Sequence, residues 1–275
     1  MKESIPGTSA RLICKVLHIS RSVLFAKHPK KDIRKDEELL PLIKELIQQH
    51  PTYGYRRIWA LIAKGRNIQV NKKKIYRIFK ENRLFVCVRS TTPRPRVQAK
   101  KSVASESNER WALDITHIYC GKDGWGHLVG VIDCHDRELI GYEFALRGRA
   151  REAERAIEDA CIKRFGTLKI EGRKPVVRSD NGLVFISRRF RSACKDYNLD
   201  QEFITPYTPE QNGIIERFFR SLKEECVWQQ SFGSFEEARR AIVNWIEWYN
   251  TKRPHQSLHY LSPEQFRNMK YVSVA

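Results

Sequence analysis

Apolar residues recur at helical spacing through the first third of the chain and at alternate positions after it. Residues 10–17 read as a short apolar helix. Ile19-Ser20-Arg21-Ser22 then supplies a turn and an N-cap, and Val23-Leu24-Phe25 resumes the pattern, the outline of a small helix-turn-helix. Leu39, Leu40, Ile43, Leu46 and Ile47 mark one face of a helix that ends at His50-Pro51, and Tyr53-Gly54-Tyr55 forms a turn. Ile58, Trp59, Leu61 and Ile62 give the next apolar face. Asn71 is placed to cap a last helix with Ile75, Ile78 and Phe79 inside and Lys72, Lys73, Lys74, Arg77 and Lys80 around the rest.

The period then changes to two. Strands are expected over 111–119, 128–133 and 139–144, separated by Gly121-Lys122-Asp123-Gly124 and His135-Asp136-Arg137. A helix over 152–165 follows, then a short buried strand at Pro175-Val176-Val177-Arg178. Ser187 caps a helix reaching Tyr197, and Glu202-Phe203-Ile204 is another short strand. Residues 212–226 are helical. Ser234 with Glu237 forms a capping box before an aromatic helix carrying Ile242, Trp245, Ile246, Trp248 and Tyr249. Ser262-Pro263-Glu264-Gln265 opens a final helix with proline at its first position. The order is α/β, a mixed five-stranded sheet with flanking helices preceded by an all-helical region. The proline-containing, basic stretch 89–107 reads as a linker, which divides the chain into a helical DNA-binding region 1–88, the linker, a core at 108–229 and a helical extension at 230–275.

Charge sharpens that division. The 275 residues carry a net +19, but residues 1–104 hold 25 Lys+Arg against 7 Asp+Glu, whereas 105–275 hold 26 against 25. A segregated basic module is suited to a polyphosphate backbone, and a short basic helix after a turn is suited to a major groove; an ordinary solvated helix face is the plainer alternative. Seven scattered cysteines with no C-x-x-C pair exclude a disulfide scaffold and disfavour a thiolate zinc site. The chain contains no apolar run long enough to span a bilayer and opens on no secretory signal pattern, so a cytoplasmic protein is expected.

Three acids stand out. Asp114 sits among Trp111, Leu113 and Ile115 in the first strand, Asp180 follows the short strand 175–178, and Glu216 lies on the helix that also buries Ile215, Phe218, Phe219 and Leu222. Each alone has a mundane explanation: an acid satisfied by backbone, an Asp-Asn-Gly turn, a solvated helix glutamate. Together they suit hard divalent cations. His117 and His135 lack the spacing of zinc ligands, and Asp133 reads as structural.

Trp111-Ala112-Leu113-Asp114-Ile115-Thr116, the 35 residues between Asp180 and Glu216, and Lys223 seven residues after Glu216 together resemble the DDE set of retroviral-type integrases and insertion-sequence transposases. Pro51-Thr52-Tyr53-Gly54-Tyr55-Arg56-Arg57-Ile58 and the closing stretch 254–266 are similar to the second-frame (OrfB) transposases of the IS-three family, and the likeness covers roughly residues 10–270. After Asp180-Asn181-Gly182, Leu183 and Phe185 depart from that family's polar and hydroxylated residues. The resemblance implies an RNase H-like core and a DNA transposase, expected to be bacterial and nucleoid-associated. Its catalytic and metal-holding residues would be Asp114, Asp180 and Glu216, with two Mg²⁺ ions for which Mn²⁺ could substitute. Lys223, Arg220, Asn212, Arg56, Arg57, Lys72, Lys73, Lys74 and Arg77 are the expected DNA contacts. Expected partners are double-stranded DNA as terminal repeats and target, further copies of the chain, and an upstream-frame (OrfA) protein or fusion. A non-catalytic DNA-binding regulator, or an inactive domesticated derivative, is the competing reading, and an RNase H-type nuclease is a third.

Overall fold

The computed structural model describes residues 9–18, 20–25, 33–86, 104–205 and 208–272 and divides into two compact units, Met1–Lys44 and Glu45–Ala275. The first holds α1 (Ala10–Val16), α2 (Arg21–Leu24) and most of α3 (Ile33–Gln49), where the apolar pattern places helices. Ser9 caps α1 by accepting from the Leu12 N–H. Ile19 and residues 89–103 of the expected linker lie outside the described residues.

The second unit opens with α4 (Tyr55–Ala60), which relaxes into a wide turn at Leu61–Gly65, and α5 (Lys72–Glu81). Asn71 caps α5, its side chain accepting from the Lys73 N–H at 2.9 Å. Tyr53, Ile58, Ile62, Ile75, Ile78 and Phe79 are buried, while the basic side chains stand around them.

The sheet contains β1 (Arg110–Tyr119), β2 (Trp125–Asp133), β3 (Leu139–Ala145), β4 (Val176–Ser179) and β5 (Asp200–Phe203) in the order β3-β2-β1-β4-β5. The first three are antiparallel neighbours, and β4 and β5 add in parallel. β2 starts three residues before the alternation begins, because Trp125, Gly126 and His127 pair with Tyr119, Ile118 and His117 at a hairpin end that has no single buried face. β5 lies further upstream than Glu202-Phe203-Ile204, since its polar edge residues carry no alternation. Between β3 and β4 runs α6 (Ala150–Phe165); α7 (Leu183–Ile186), which the pattern does not announce, and α8 (Arg188–Asp196) lie between β4 and β5. After β5 come α9 (Gly213–Glu225), α10 (Phe235–Thr251) and α11 (Pro263–Val272).

Strand parity sends residues to two cores. Trp111, Leu113, Val129 and Val131 pack with α6 and α8, whose Ala153, Ala156, Ala160 and Phe190 share that cluster. Ala112, Ile118, Leu128 and Ile132 pack with Phe218, Phe219 and Leu222 of α9 and Ile242 and Trp245 of α10. Asp114 shares the parity of Ala112 and Ile118 and so belongs to the α9 face. Gly141 is required by the close approach of α6: a Cβ there would stand 2.2 Å from the Ala156 carbonyl oxygen. The described cysteines form no disulfide, and all but Cys14 are buried.

Candidate active site

β1 and β4 run side by side with Ala112 opposite Arg178, so Asp114 and Asp180 each lie two residues past that pair. Asp114 is half-buried and opposite Gly130 on β2, and its Oδ1 accepts from the Ile115 N–H at 2.8 Å. Burial first, and then the charges of Asp180 and Glu216, push its carboxyl up to about 7; the Ile115 N–H and Lys223 act in the opposite sense. Asp180 Oδ1 accepts from the Gly182 N–H at 2.9 Å, and a Cβ on residue 182 would press on that oxygen at 2.8 Å. Glu216 is exposed in the first turn of α9.

The helix bearing Glu216 is fastened to the strand bearing Asp114. Asn212 donates from Nδ2 to the Leu113 carbonyl at 3.3 Å, while its own Oδ1 is buried without a partner. Arg178 grips Glu202 with two nitrogens, at 3.1 and 3.0 Å, and donates from a third to the Gln211 carbonyl at 3.1 Å. These braces set the beginning of α9 against the body of β1 and the end of β4. Neither the braces nor the orphaned oxygen is evident from the sequence, because each depends on residues brought together only by the sheet.

The carboxylates suit a hard divalent cation, which takes oxygen ligands one or two carboxylates at a time. Among the described residues no three His, Cys, Asp or Glu side chains close around one ion position. A two-ion arrangement shares the carboxylates in pairs and does not need three around one point.

The expected DNA contacts divide. Lys223 acts on Asp114 and pairs directly with no carboxylate among the described residues. Arg220 is exposed and donates from Nε to Glu224 at 2.7 Å. Asn212 is not available to DNA: it is buried, because it braces α9. Arg57 also turns inward, donating to Glu225 at 2.9 Å and lying 4.8 Å from the Tyr53 ring centre. Lys72 rests on Trp59 and Tyr260, its ammonium 4.4 and 4.8 Å from the ring centres. Arg56 and Lys73 are exposed, and Lys74 and Arg77 half-buried on α5, with Arg77 3.9 Å from Glu81. Asp133 accepts from the backbone N–H groups of Asn108, His135 and Asp136. Phe185 packs into the core against Phe190, and Leu183 faces solvent.

Residues 34–92 match the HTH-like domain, and residues 104–209 and 197–263 match two Integrase core domain families. The 39.2 kDa protein of insertion element IS476 from Xanthomonas euvesicatoria is 30% identical over 259 residues, covering 94% of this chain and 72% of that protein. The transposase InsD of insertion element IS2A/D/F/H/I/K from Escherichia coli is 27% identical over 237 residues, covering 84% and 78%. In fold, the chain is similar to one in the cryo-EM structure of the simian T-cell lymphotropic virus intasome in complex with PP2A regulatory subunit B56 gamma. The TM-score is 0.50 at 18% identity, covering 76% of this chain and 73% of that one. With a helix-turn-helix-like region, an RNase H-like integrase core and a relative that matches nearly the whole of this chain, the protein belongs to the IS-three family of insertion-element transposases, second-frame type.

Proposed function

We propose that this transposase cuts DNA at insertion-sequence ends and joins the freed 3′-hydroxyl to a second phosphodiester, with Asp114, Asp180 and Glu216 as its catalytic carboxylates. One observation carries the assignment: β1, the end of β4 and the first turn of α9 bring three acids within electrostatic reach of one another on a braced scaffold. Two Mg²⁺ ions, or Mn²⁺ in their place, would supply nucleophile activation and charge neutralisation at the leaving oxygen. Asp114 orients its carboxylate through the Ile115 N–H, and Asp180 does so through the Gly182 N–H. Lys223 holds the phosphate beside the scissile bond, keeping attacking and leaving oxygens in line. In cutting, a water oxygen bonds to phosphorus as the P–O3′ bond breaks; in joining, the 3′-hydroxyl oxygen takes the place of water.

The partners of this reading are duplex DNA as terminal repeat and as target, and further copies of the chain in a synaptic complex, with an upstream-frame protein as an additional partner. Arg56, Lys73, Lys74 and Arg77 supply phosphate contacts from the helical module. Among the described residues no helix is long and apolar enough to cross a membrane. The alternative of a DNA-binding regulator without catalysis gives no reason for three braced carboxylates at a strand end.

The test is incubation of the purified chain with labelled duplex carrying the element's ends, in Mg²⁺, Mn²⁺ or EDTA. Asp114→Asn, Asp180→Asn and Glu216→Gln should each reduce cleavage to background while retaining DNA affinity, and double variants should be no worse than single ones. A single variant with normal cleavage overturns the shared site.

A further inference from the structure

A cavity of about 630 Å³ lies on the flank of α9. Its walls come from the segment preceding and beginning α4, from the β2–β3 turn, from α9 and from the stretch after α10. Gly213, Arg217, Ser221 and Glu224 form one stripe down α9, at spacings of three and four residues. Glu216, Arg220 and Lys223 form the adjacent stripe. Arg217 therefore follows Glu216 directly and points about 100° around the helix from it, so the cavity opens beside the catalytic face.

The cavity has an excess of cations. Arg56, Arg57, Arg137, Arg217 and Arg253 line it, with Glu224 as the acid in its wall and Glu225 behind. Glu225 is shared by two of these guanidiniums, Arg57 and Arg253, and Glu224 is engaged by Arg220 from outside. Among the described residues neither Arg137 nor Arg217 pairs with a carboxylate, and Arg137 Nε is buried with no hydrogen-bond partner. The imidazole of His255, also in the wall, is held well below its usual range by burial and by Arg253, Arg57 and Arg137, so it adds no charge of its own. A site with several guanidiniums, too few carboxylates and room for more than water calls for a multivalent oxyanion, and guanidiniums take phosphate in two-pronged geometry.

We propose that this cavity is a second DNA subsite, in which Arg137 and Arg217 hold a backbone phosphodiester of a strand that passes the catalytic carboxylates. The assignment rests on the transposase reading above and adds to it a strand path along the stripe of α9 next to that of Lys223. The phosphate contacts made here are independent of base sequence.

The experiment measures affinity of the full chain for a duplex of arbitrary sequence in EDTA, by fluorescence anisotropy from low to moderate salt. Each lost phosphate contact should lower the slope of log affinity against log salt by about 0.9. Arg217→Gln and Arg137→Gln should each do so at unchanged melting temperature, Arg217→Lys should restore most of the slope, and Arg155→Gln, whose partner is Glu143, should leave it intact. Replacing chloride by inorganic phosphate at constant ionic strength should leave the Arg217→Gln difference in place. Its disappearance at millimolar phosphate would make the cavity a site for the free ion and overturn the strand path. Unchanged slopes in both glutamine variants, with a wild-type chain that binds and joins DNA, overturn the subsite and leave the transposase reading standing. A wild-type chain that neither binds DNA in a salt-dependent way nor cuts it overturns both.

Discussion

Lys223 could serve the catalytic centre in two ways: as a structural counter-ion for the acids, or as a grip on the substrate. The geometry favours the second, because the side chain influences Asp114 from a distance and has no carboxylate in direct contact among the described residues. Lys223→Ala should therefore reduce end joining at least tenfold, about 1.4 kcal/mol in the barrier, with melting temperature little changed. Thermal unfolding and joining measured on one preparation decide it; a clear loss of stability with joining reduced only in proportion to folded protein restores the counter-ion role. His255 gives a pH prediction. Burial and the facing Arg253, Arg57 and Arg137 depress its folded pKa below the unfolded value near 6.5, and Arg253 and Arg57 are themselves paired with Glu225. Below about pH 6.5 the unfolded chain gains a proton at this imidazole that the folded chain refuses, so the folded state loses stability as pH falls. The melting-temperature advantage of wild type over His255→Gln should shrink between pH 7 and pH 5, and a constant gap would show that His255 titrates alike in both states.

On α9 the functional and structural roles occupy different faces. Glu216 and Lys223 share the stripe proposed for catalysis, Phe218, Phe219 and Leu222 enter the core, and Glu225 binds the helical module to the C-terminal stretch. Glu225 accepts from Arg57 at 2.9 Å and from Arg253 at 2.6 and 2.8 Å; its side chain is 6% exposed and that of Arg253 4%. Removing the carboxylate leaves a buried guanidinium uncompensated, so Glu225→Gln should lower unfolding stability by about 3 kcal/mol or more, and a change under about 1 kcal/mol would show that solvent reaches the pair. The same element shows what the sequence could and could not reveal. Its helix, its apolar face and the placement of Glu216 with Lys223 follow from periodicity. The role of Arg57 does not: an arginine in a basic segment reads as a phosphate contact, and its partner is 168 residues away. Asn212 is misread for a similar reason, since a polar residue before a helix resembles an exposed cap until Leu113 is placed beneath it. Asp114 and Asp180 stand out in the sequence only jointly, through their spacing with Glu216 and the family resemblance, since each alone has an ordinary structural explanation.

The arrangement of the whole chain changes how its charge should be understood. Within the second unit, His50 stacks on both Tyr53 and Trp248, at 4.8 and 5.2 Å, and Trp59 meets Tyr260 edge-on at 5.3 Å. The segment from Glu45 through α5 thus packs on the same body as the catalytic carboxylates. Residues 1–44 contain 10 Lys+Arg and 5 Asp+Glu, whereas residues 45–104 contain 15 and 2. Most of the basic excess of residues 1–104 therefore belongs to the unit that holds the integrase core, so electrostatic attraction is expected to bring DNA directly to that unit. A chain starting at Glu45 should keep the larger part of the full chain's salt slope on duplex DNA. A chain starting at residue 108 should lose most of the slope and also melt at a lower temperature, because Trp248, Tyr260 and Glu225 would lose their aromatic and guanidinium partners. Salt-dependent anisotropy and thermal unfolding of the three chains separate these effects. If removal of residues 1–44 alone abolished most of the slope, DNA capture would belong to the first unit, and the basic surface around α5 would be only a solvated face.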